Sequence, residues 1–453
     1  MAIPGINPAI FRAYDIRGIY GKDLDERVME MVGAAFGSLF VKGIAVVGMD
    51  GRTSGPALKE AFLRGLAASG KDAADIGVVP RGACLYHAWK GGLPSAYITA
   101  SHLTGEWNGV KFAYGNGIEF FEKDNERIKK FVLSGSRAVA DKKGSSRDEE
   151  ATAGYVDFIL SKMKPAKRRL SVVLDCGNGT GGLAAPELFR KLGFSVTVMH
   201  GDVDGTFPNR SSDIDEQSLA ELMRRVRGHD MGVAFDGDSD RMAMVDEKGR
   251  LLGPEAVSYL VMNALSKDND GPVVANVECL KILDEMSAKL GRKIYRVRVG
   301  NSFLVQAVME KKAFFGVERS GHYCIPSIIP VDDGMAVGLY AALVLSASNR
   351  KLSEIVDEIP LYPFRRLKAD CPDDLKFRVV ASLKKKFLKE YKNVNTVDGV
   401  RVDLGYGWVL VRASNTGPVI RVSAEADNEK KVDELSGKFL SVLKEEIGRV
   451  RSS

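Results

Sequence analysis

The chain has 453 residues, so at roughly 100–200 residues per domain it holds several domains rather than one core. Hydrophobic residues make up 45% and charged residues 27%, the balance of an ordinary soluble globular protein. The net charge of +6 is dispersed, with Lys and Arg alternating with acids as in "EKDNERIKK"; this excludes the concentrated basic stripe of a nucleic-acid groove and suits small anionic substrates.

The opening "MAIPGINPAIFRAYDIRG" lacks the basic-then-apolar layout of a signal peptide. Its Arg12, Tyr14, Asp15 and Arg17 surround a turn before Gly18, where they suit either a phosphate or ion pairs. Three β-branched runs follow at wide intervals: "GIAVVGMDGRTSG" (43–55), "LSVVLDCGNGTGG" (170–182) and "GPVVANVEC" (271–279). Each precedes a helix-like stretch that stops at a glycine. Each unit later offers another apolar strand running into a polar loop: "SAYITASH", "MGVAFDGDSDR" and "FFGVERSGHY". Strands alternating with helices predict mostly parallel sheets, with ligand loops at the strands' carboxyl ends. The three units read as a weak internal repeat.

"SSRDEEATAG" (145–154) is a polar connection that suits a boundary or the start of a helix, and "VDEKGRLLGPE" (245–255) reads as a hairpin. "GMAVGLYAALVLSAS" is short for a membrane span and reads as a buried helix. After "EIPLYPFRR" (358–366) the chain turns lysine-rich, with strands "GVRVDLGYGWVLVRAS" and "PVIRVSAEA" before a final helix, as expected of a separate α+β domain. The expected divisions are 1–150, 151–249, 250–364 and 365–453. Cys84, Cys176, Cys279, Cys324 and Cys371 are odd in number, widely spaced and free of C-x-x-C, which predicts reduced thiols in a cytoplasmic protein.

The loops carry the chemistry. In "DGDSDR", Asp236, Asp238 and Asp240 repel one another unless a cation compensates, and oxygen-only ligation selects a hard ion. Glu247 stands twelfth from Asp236, as in an EF-hand, but Arg241 occupies the position that needs glycine and the flanks read as strands. An acidic surface turn is the plainer alternative. Arg241 beside these carboxylates suits a phosphoryl oxygen. In "GVERSGHY", Glu318, Ser320 and His322 alternate and would share one side if extended, a set that suits sugar hydroxyls. In "VRASNTGPVIRV", Arg412, Ser414, Asn415, Thr416 and Arg421 form either a phosphate cradle or an ordinary hairpin turn. "MDGRTSG" adds Arg52 and Ser54, which, like the "FRAYDIRG" residues, suit either a phosphate or surface ion pairs. The Ser101-His102 pair in "TASHL" is not a G-x-S-x-G elbow, and in an extended chain His102 points away from Ser101. A seryl loop paired with a metal loop predicts that Ser101 carries a phosphoryl group.

With "FRAYDIRG", "TASH…NGVK", "DGDSDR", "ERSGHY" with its downstream "DDG", and "RASNTGPVIRV" in this order, essentially the whole chain resembles the α-D-phosphohexomutase family, in particular its phosphomannomutase/phosphoglucomutase branch. The resemblance implies three related mixed-sheet α/β domains plus a C-terminal α+β domain around a central active-site cleft. It implies a phosphoserine at Ser101, and Mg²⁺ held by Ser101, Asp236, Asp238 and Asp240. It places Tyr14, Arg17, His102 and Lys111 beside the phosphoserine, Glu318 and Ser320 on the sugar, and Arg412, Ser414, Asn415, Thr416 and Arg421 on the non-reacting phosphate. Arg241 and the proton carriers His322 and Lys111 complete the catalytic set. The implied activity interconverts hexose 1-phosphate and hexose 6-phosphate of mannose or glucose, with a hexose 1,6-bisphosphate as intermediate and activator, in a cytoplasmic monomer or small homo-oligomer without nucleic-acid or membrane partners. The alternatives are a phosphoglucosamine mutase or a weakly active sugar-phosphate-binding paralogue. The chain departs from the family pattern at Leu103-Thr104-Gly105, where Asn and Pro usually follow His; at Ser239; at Glu278, where this branch often has Lys; and at Asn301, where many members have His.

Overall fold

The computed structural model describes residues 6–136, 138, 140–360, 362–414 and 418–452. The chain divides into two compact units, residues 1–267 with 320–356, and residues 268–319 with 357–453.

In the first unit, a six-stranded sheet runs in the order Ile16–Ile19, Trp107–Ala113, Ser95–Ile98, Ile44–Met49, Asp72–Val78, Ser146–Asp148. A five-stranded sheet runs Leu251–Leu252, Met242–Asp246, Met231–Phe235, Ser171–Asp175, Ser195–Met199. In the second unit, Ile294–Val297, Val273–Asn276 and Phe315–Val317 lie side by side in parallel. The expected repeat is therefore one of topology. Each leading run (Ile44–Met49, Ser171–Asp175, Val273–Asn276) is flanked by two parallel strands, and one of these carries the chemical loop. The glycine stops are real: Gly70, Gly193 and Gly291 take φ of +76°, +98° and +67°, which only glycine adopts without strain.

The hairpin expected at 245–255 forms between Met242–Asp246 and Leu251–Leu252. The polar stretch at 145–154 holds both an edge strand and the start of helix Thr152–Ser161. Helix Gly334–Ser346 is the apolar segment, buried and N-capped by Asp333, whose carboxylate accepts from Ala336 N at 3.0 Å. Among the described residues, no helix is long and apolar enough to cross a membrane. All five cysteines are buried thiols outside any disulfide, and burial pushes the Cys84 and Cys176 thiols up to about 11 and about 12.

The second unit also holds a five-stranded antiparallel sheet, in the order Phe364–Asp370, Val419–Ala426, Gly407–Ala413, Val400–Asp403, Val394–Asn395, packed against helices Asp373–Glu390 and Glu429–Ser452.

The strand Trp107–Ala113 shows how packing positions chemistry. Successive side chains face opposite sides. Lys111 reaches the acidic loop, while Phe112 enters the core against Phe36, Phe120 and Phe62 at ring separations of 4.8, 5.4 and 6.2 Å. Phe112→Ala empties that contact and is expected to cost about 3–5 kcal/mol, seen as a lower denaturation midpoint. A midpoint like wild type contradicts the packing described.

Candidate active site

The first unit brings together Ser101, His102, Lys111, Asp236, Asp238, Asp240, Arg241 and His322. Ser101 is fully buried, with φ of +54°. Its Oγ donates to Asp236 Oδ2 at 3.0 Å. The left-handed backbone corrects the extended-chain expectation, because it turns His102 back: His102 Nδ1 lies 3.4 Å from Ser101 Oγ. Arg241, burial, Arg17 and Lys111 together hold the His102 pKa far below its usual value, so its imidazole is neutral.

This strained conformation is fixed by Arg52, whose five N–H donors are all engaged. Nε binds Asp50 Oδ2 at 3.0 Å, and the two Nη atoms bind the carbonyls of Ser101, Leu103, Thr104 and Trp107 at 2.8, 2.5, 2.6 and 2.8 Å. Ser212 Oγ adds a hydrogen bond to the Leu103 carbonyl at 2.8 Å. Arg52 is neither a phosphate contact nor a surface ion pair here: it is a buried loop anchor paired with Asp50. Its sequence signal was only its place after a strand end, beside Asp50. Arg210 does similar work next to the acidic loop, joining Asp175 Oδ2 at 2.9 Å to the Phe235 carbonyl at 2.7 Å.

The flanks of "DGDSDR" are strands, as expected. Asp236, Asp238 and Asp240 are fully buried, with one oxygen from each within 4.8 Å of the others. The loop is held by backbone bonds from Arg81 N to the Asp238 carbonyl at 2.9 Å and from Thr180 N to the Gly237 carbonyl at 3.1 Å. Gly237 is required by close approach, since a Cβ there would stand 2.7 Å from the Ser101 carbonyl oxygen. Burial and the neighbouring carboxylates push the Asp236 pKa well above its usual value. Burial pushes Asp240 the same way, but Lys111, His322 and Arg241 outweigh it and hold that pKa low. Lys111 Nζ lies 2.5 Å from Asp240 Oδ2 and 3.2 Å from Asp238 Oδ2. Burial opposes its charge, but these carboxylates and Glu119 raise its pKa, so Lys111 is a fixed cation and not the proton carrier expected of it. Asp238 Oδ1 and Asp240 Oδ1 are buried without a hydrogen-bond partner. Such oxygens, with the Asp236 carboxylate and Ser101 Oγ, fit a hard divalent ion.

His322 Nδ1 lies 2.9 Å from Asp332 Oδ2 and 3.7 Å from Asp240 Oδ1, while Arg241 Nε lies 2.9 Å from Nε2, a contact that is a hydrogen bond only when the ring is neutral. Burial and Arg241 pull its pKa down, but Asp240 and Asp332 win and hold it at about 9. Asp332 was legible only as part of "DDG". Arg17 Nη1 donates to the Ala100 carbonyl at 3.2 Å and pairs with Asp15 at 2.5 Å, so it meets the seryl loop and makes an ion pair. Tyr14 is half-buried in the bend before Ile16–Ile19.

Glu318, Ser320 and His322 do not share one extended face. The chain turns at 319–321, where Gly321 has φ of +90°. Ser320 is exposed on that turn. Glu318, in the second unit, is buried and accepts from Gly300 N at 2.7 Å and Asn276 Nδ2 at 3.3 Å. In the same unit Arg412 and Arg421 face each other across adjacent strands. Ser414 is buried, and its carbonyl accepts from Lys376 Nζ at 2.6 Å. Asn415 and Thr416 lie outside the described residues.

The chain matches four family models in order: phosphoglucomutase/phosphomannomutase alpha/beta/alpha domain I over residues 8–138, domain II over 153–249, domain III over 254–362 and the C-terminal domain over 367–441. A probable phosphoglucosamine mutase from Methanopyrus kandleri is 34% identical over 97% of this chain and 99% of its own. A phosphoglucomutase/phosphomannomutase from Thermococcus kodakarensis is 33% identical over 97% of this chain and 99% of its own. The solved structure of a phosphoglucomutase/phosphomannomutase family protein from Burkholderia thailandensis gives a TM-score of 0.87 at 28% identity, covering 97% of this chain and 98% of that one. Fold and relatives together make this enzyme a phosphohexomutase, an intramolecular phosphotransferase. The chain belongs to the phosphoglucomutase/phosphomannomutase family.

Arg52→Lys keeps the charge but not the planar fork, so the segment 101–107 should open more often. Proteolytic cleavage there is expected to speed by about tenfold, the order of one or two lost hydrogen bonds to a charged group. A cleavage rate equal to wild type contradicts the clamp.

Proposed function

We propose that Ser101 is the phosphoryl carrier and that the enzyme interconverts the 1- and 6-phosphates of mannose or glucose through a 1,6-bisphosphate. One observation carries this reading: a buried seryl hydroxyl hydrogen-bonded to a carboxylate whose two neighbours each hold an oxygen without a hydrogen-bond partner among the described residues. In the first transfer the Ser101 Oγ–P bond breaks, a bond from phosphorus to a sugar hydroxyl oxygen forms, and the hydroxyl proton leaves to a base. In the second the other phosphate of the bisphosphate returns to Ser101. A Mg²⁺ ion held by Ser101, Asp236, Asp238 and Asp240 would neutralise charge on the transferring oxygens. Arg17, Lys111 and Arg241 are the fixed cations that offset the same charge. Neutral His102 offers a lone pair beside Ser101, and His322, oriented by Asp332, carries protons on the sugar side.

Glu318 and Ser320 orient the sugar hydroxyls, with Tyr14 at the seryl end. Arg412, Ser414, Asn415, Thr416 and Arg421 grip the non-reacting phosphate. The four-part division at 150, 249 and 364 is supported by the spans of the four family models, 8–138, 153–249, 254–362 and 367–441. Hexose 1,6-bisphosphate acts as the activator because it rephosphorylates Ser101. The Arg52 clamp supports an active enzyme over a weakly active paralogue, because it orders the seryl loop without the usual Asn-Pro. Glucosamine phosphate is a second candidate substrate, favoured by the name of the Methanopyrus kandleri relative.

Glucose 1,6-bisphosphate should add one phosphoryl group to the chain by intact mass, and Ser101→Ala should abolish both that gain and mutase turnover. Retention of either overturns the assignment of Ser101. A coupled assay on mannose, glucose and glucosamine 1-phosphates then ranks the substrates.

A further inference from the structure

In the second unit, the register of Gly407–Ala413 with Val419–Ala426 sets Arg412 directly opposite Arg421. Facing cations repel, and burial together with Arg412 pulls the Arg421 pKa below its ordinary value. The offsetting charge comes from Glu278, just past strand Val273–Asn276, with its backbone N–H held by Asn276 Oδ1 at 3.1 Å. Its buried carboxylate is divided between two guanidinium groups: Oε1 accepts from Arg412 Nη2 at 3.3 Å and Oε2 from Arg366 Nη2 at 3.1 Å. Burial opposes its ionisation, but Arg412, Arg366 and Arg421 win and hold its pKa below the usual carboxylate value. Both oxygens of Glu278 are thus spent on arginines, and one of these belongs to the proposed phosphate cradle.

We infer that Glu278 is an internal competitor of the substrate phosphate, occupying Arg412 and Arg366 when the cradle is empty and yielding Arg412 when a phosphoryl group arrives. The inference rests on the reading of Arg412 and Arg421 as that cradle. A phosphate dianion offers more charge and more acceptor oxygens than a carboxylate, so it displaces Glu278. The net gain on binding is smaller than with free arginines, so release is faster. A lysine here, as often stands in this branch, would add to the grip; glutamate reverses the sign. Fast release suits a reaction whose bisphosphate must leave the cradle and rebind by its other end.

Calorimetric titration of the full chain with inorganic phosphate tests this in the wild type, Glu278→Gln, Arg412→Ala and the double variant. Glu278→Gln is expected to tighten phosphate binding about tenfold, the order of one charge-assisted pair removed from competition. Arg412→Ala should weaken binding in the wild type and cancel the gain in the double variant. In turnover, Glu278→Gln should lower KM for hexose 1-phosphate and lower kcat with it, because release slows; a loss of packing alone would not lower KM. Glu278→Asp, too short to span both arginines, is the second variant and should tighten binding by a smaller factor. If Arg412→Ala weakens phosphate binding but neither Glu278 variant tightens it, the competitor role is overturned and the cradle stands. If Arg412→Ala changes nothing in either background, the cradle reading itself fails.

Discussion

Three carboxylates buried within 4.8 Å of one another are the constraint on which the first unit turns. Left alone, their repulsion in a low-dielectric interior would outweigh local packing. The surrounding chain answers with charge. Lys111 is placed by a strand whose next residue is locked in an aromatic core, Arg241 follows the loop directly, and His322 arrives from a segment more than 80 residues later with Asp332 behind it. Among the described residues, these groups leave one oxygen on Asp238 and one on Asp240 without a hydrogen bond. The site is built to stay short of positive charge until a cation binds.

The same logic runs with opposite sign in the second unit, where facing arginines are the repelling set and Glu278 answers them. The two acidic groups stand at different points of the repeat, Asp236 after a flanking strand and Glu278 after a central one. Asp236 and Glu278 each lie just past the carboxyl end of a parallel strand, where backbone loops are free to carry polar groups without disturbing a ladder.

Features governed by local chemistry were legible in the sequence. The β-branched runs, the glycine stops at 70, 193 and 291, the acidic loop and the seryl loop all follow from neighbours a few residues apart. The features that resisted reading depend on contacts far along the chain. Ser101 takes φ of +54° because Arg52, 49 residues earlier, binds its carbonyl, and that conformation brings His102 back to the hydroxyl. The alternation of Glu318, Ser320 and His322 failed because Gly321 permits a turn that period-two reasoning does not foresee. Glu278 was visible as a departure in charge, but its partners Arg412 and Arg366 come from strands more than 85 residues away.

Charge repulsion is stored in the acidic loop for a cation to relieve. Asp236→Asn tests it through thermal melting with and without Mg²⁺. A carboxyl whose pKa is raised by the fold destabilises that fold when ionised, so removing its charge at neutral pH should raise the metal-free melting temperature. The variant should melt higher than wild type without metal and gain little when Mg²⁺ is added, while wild type gains clearly. A variant that melts lower without metal and still gains as much from Mg²⁺ as wild type would contradict stored repulsion.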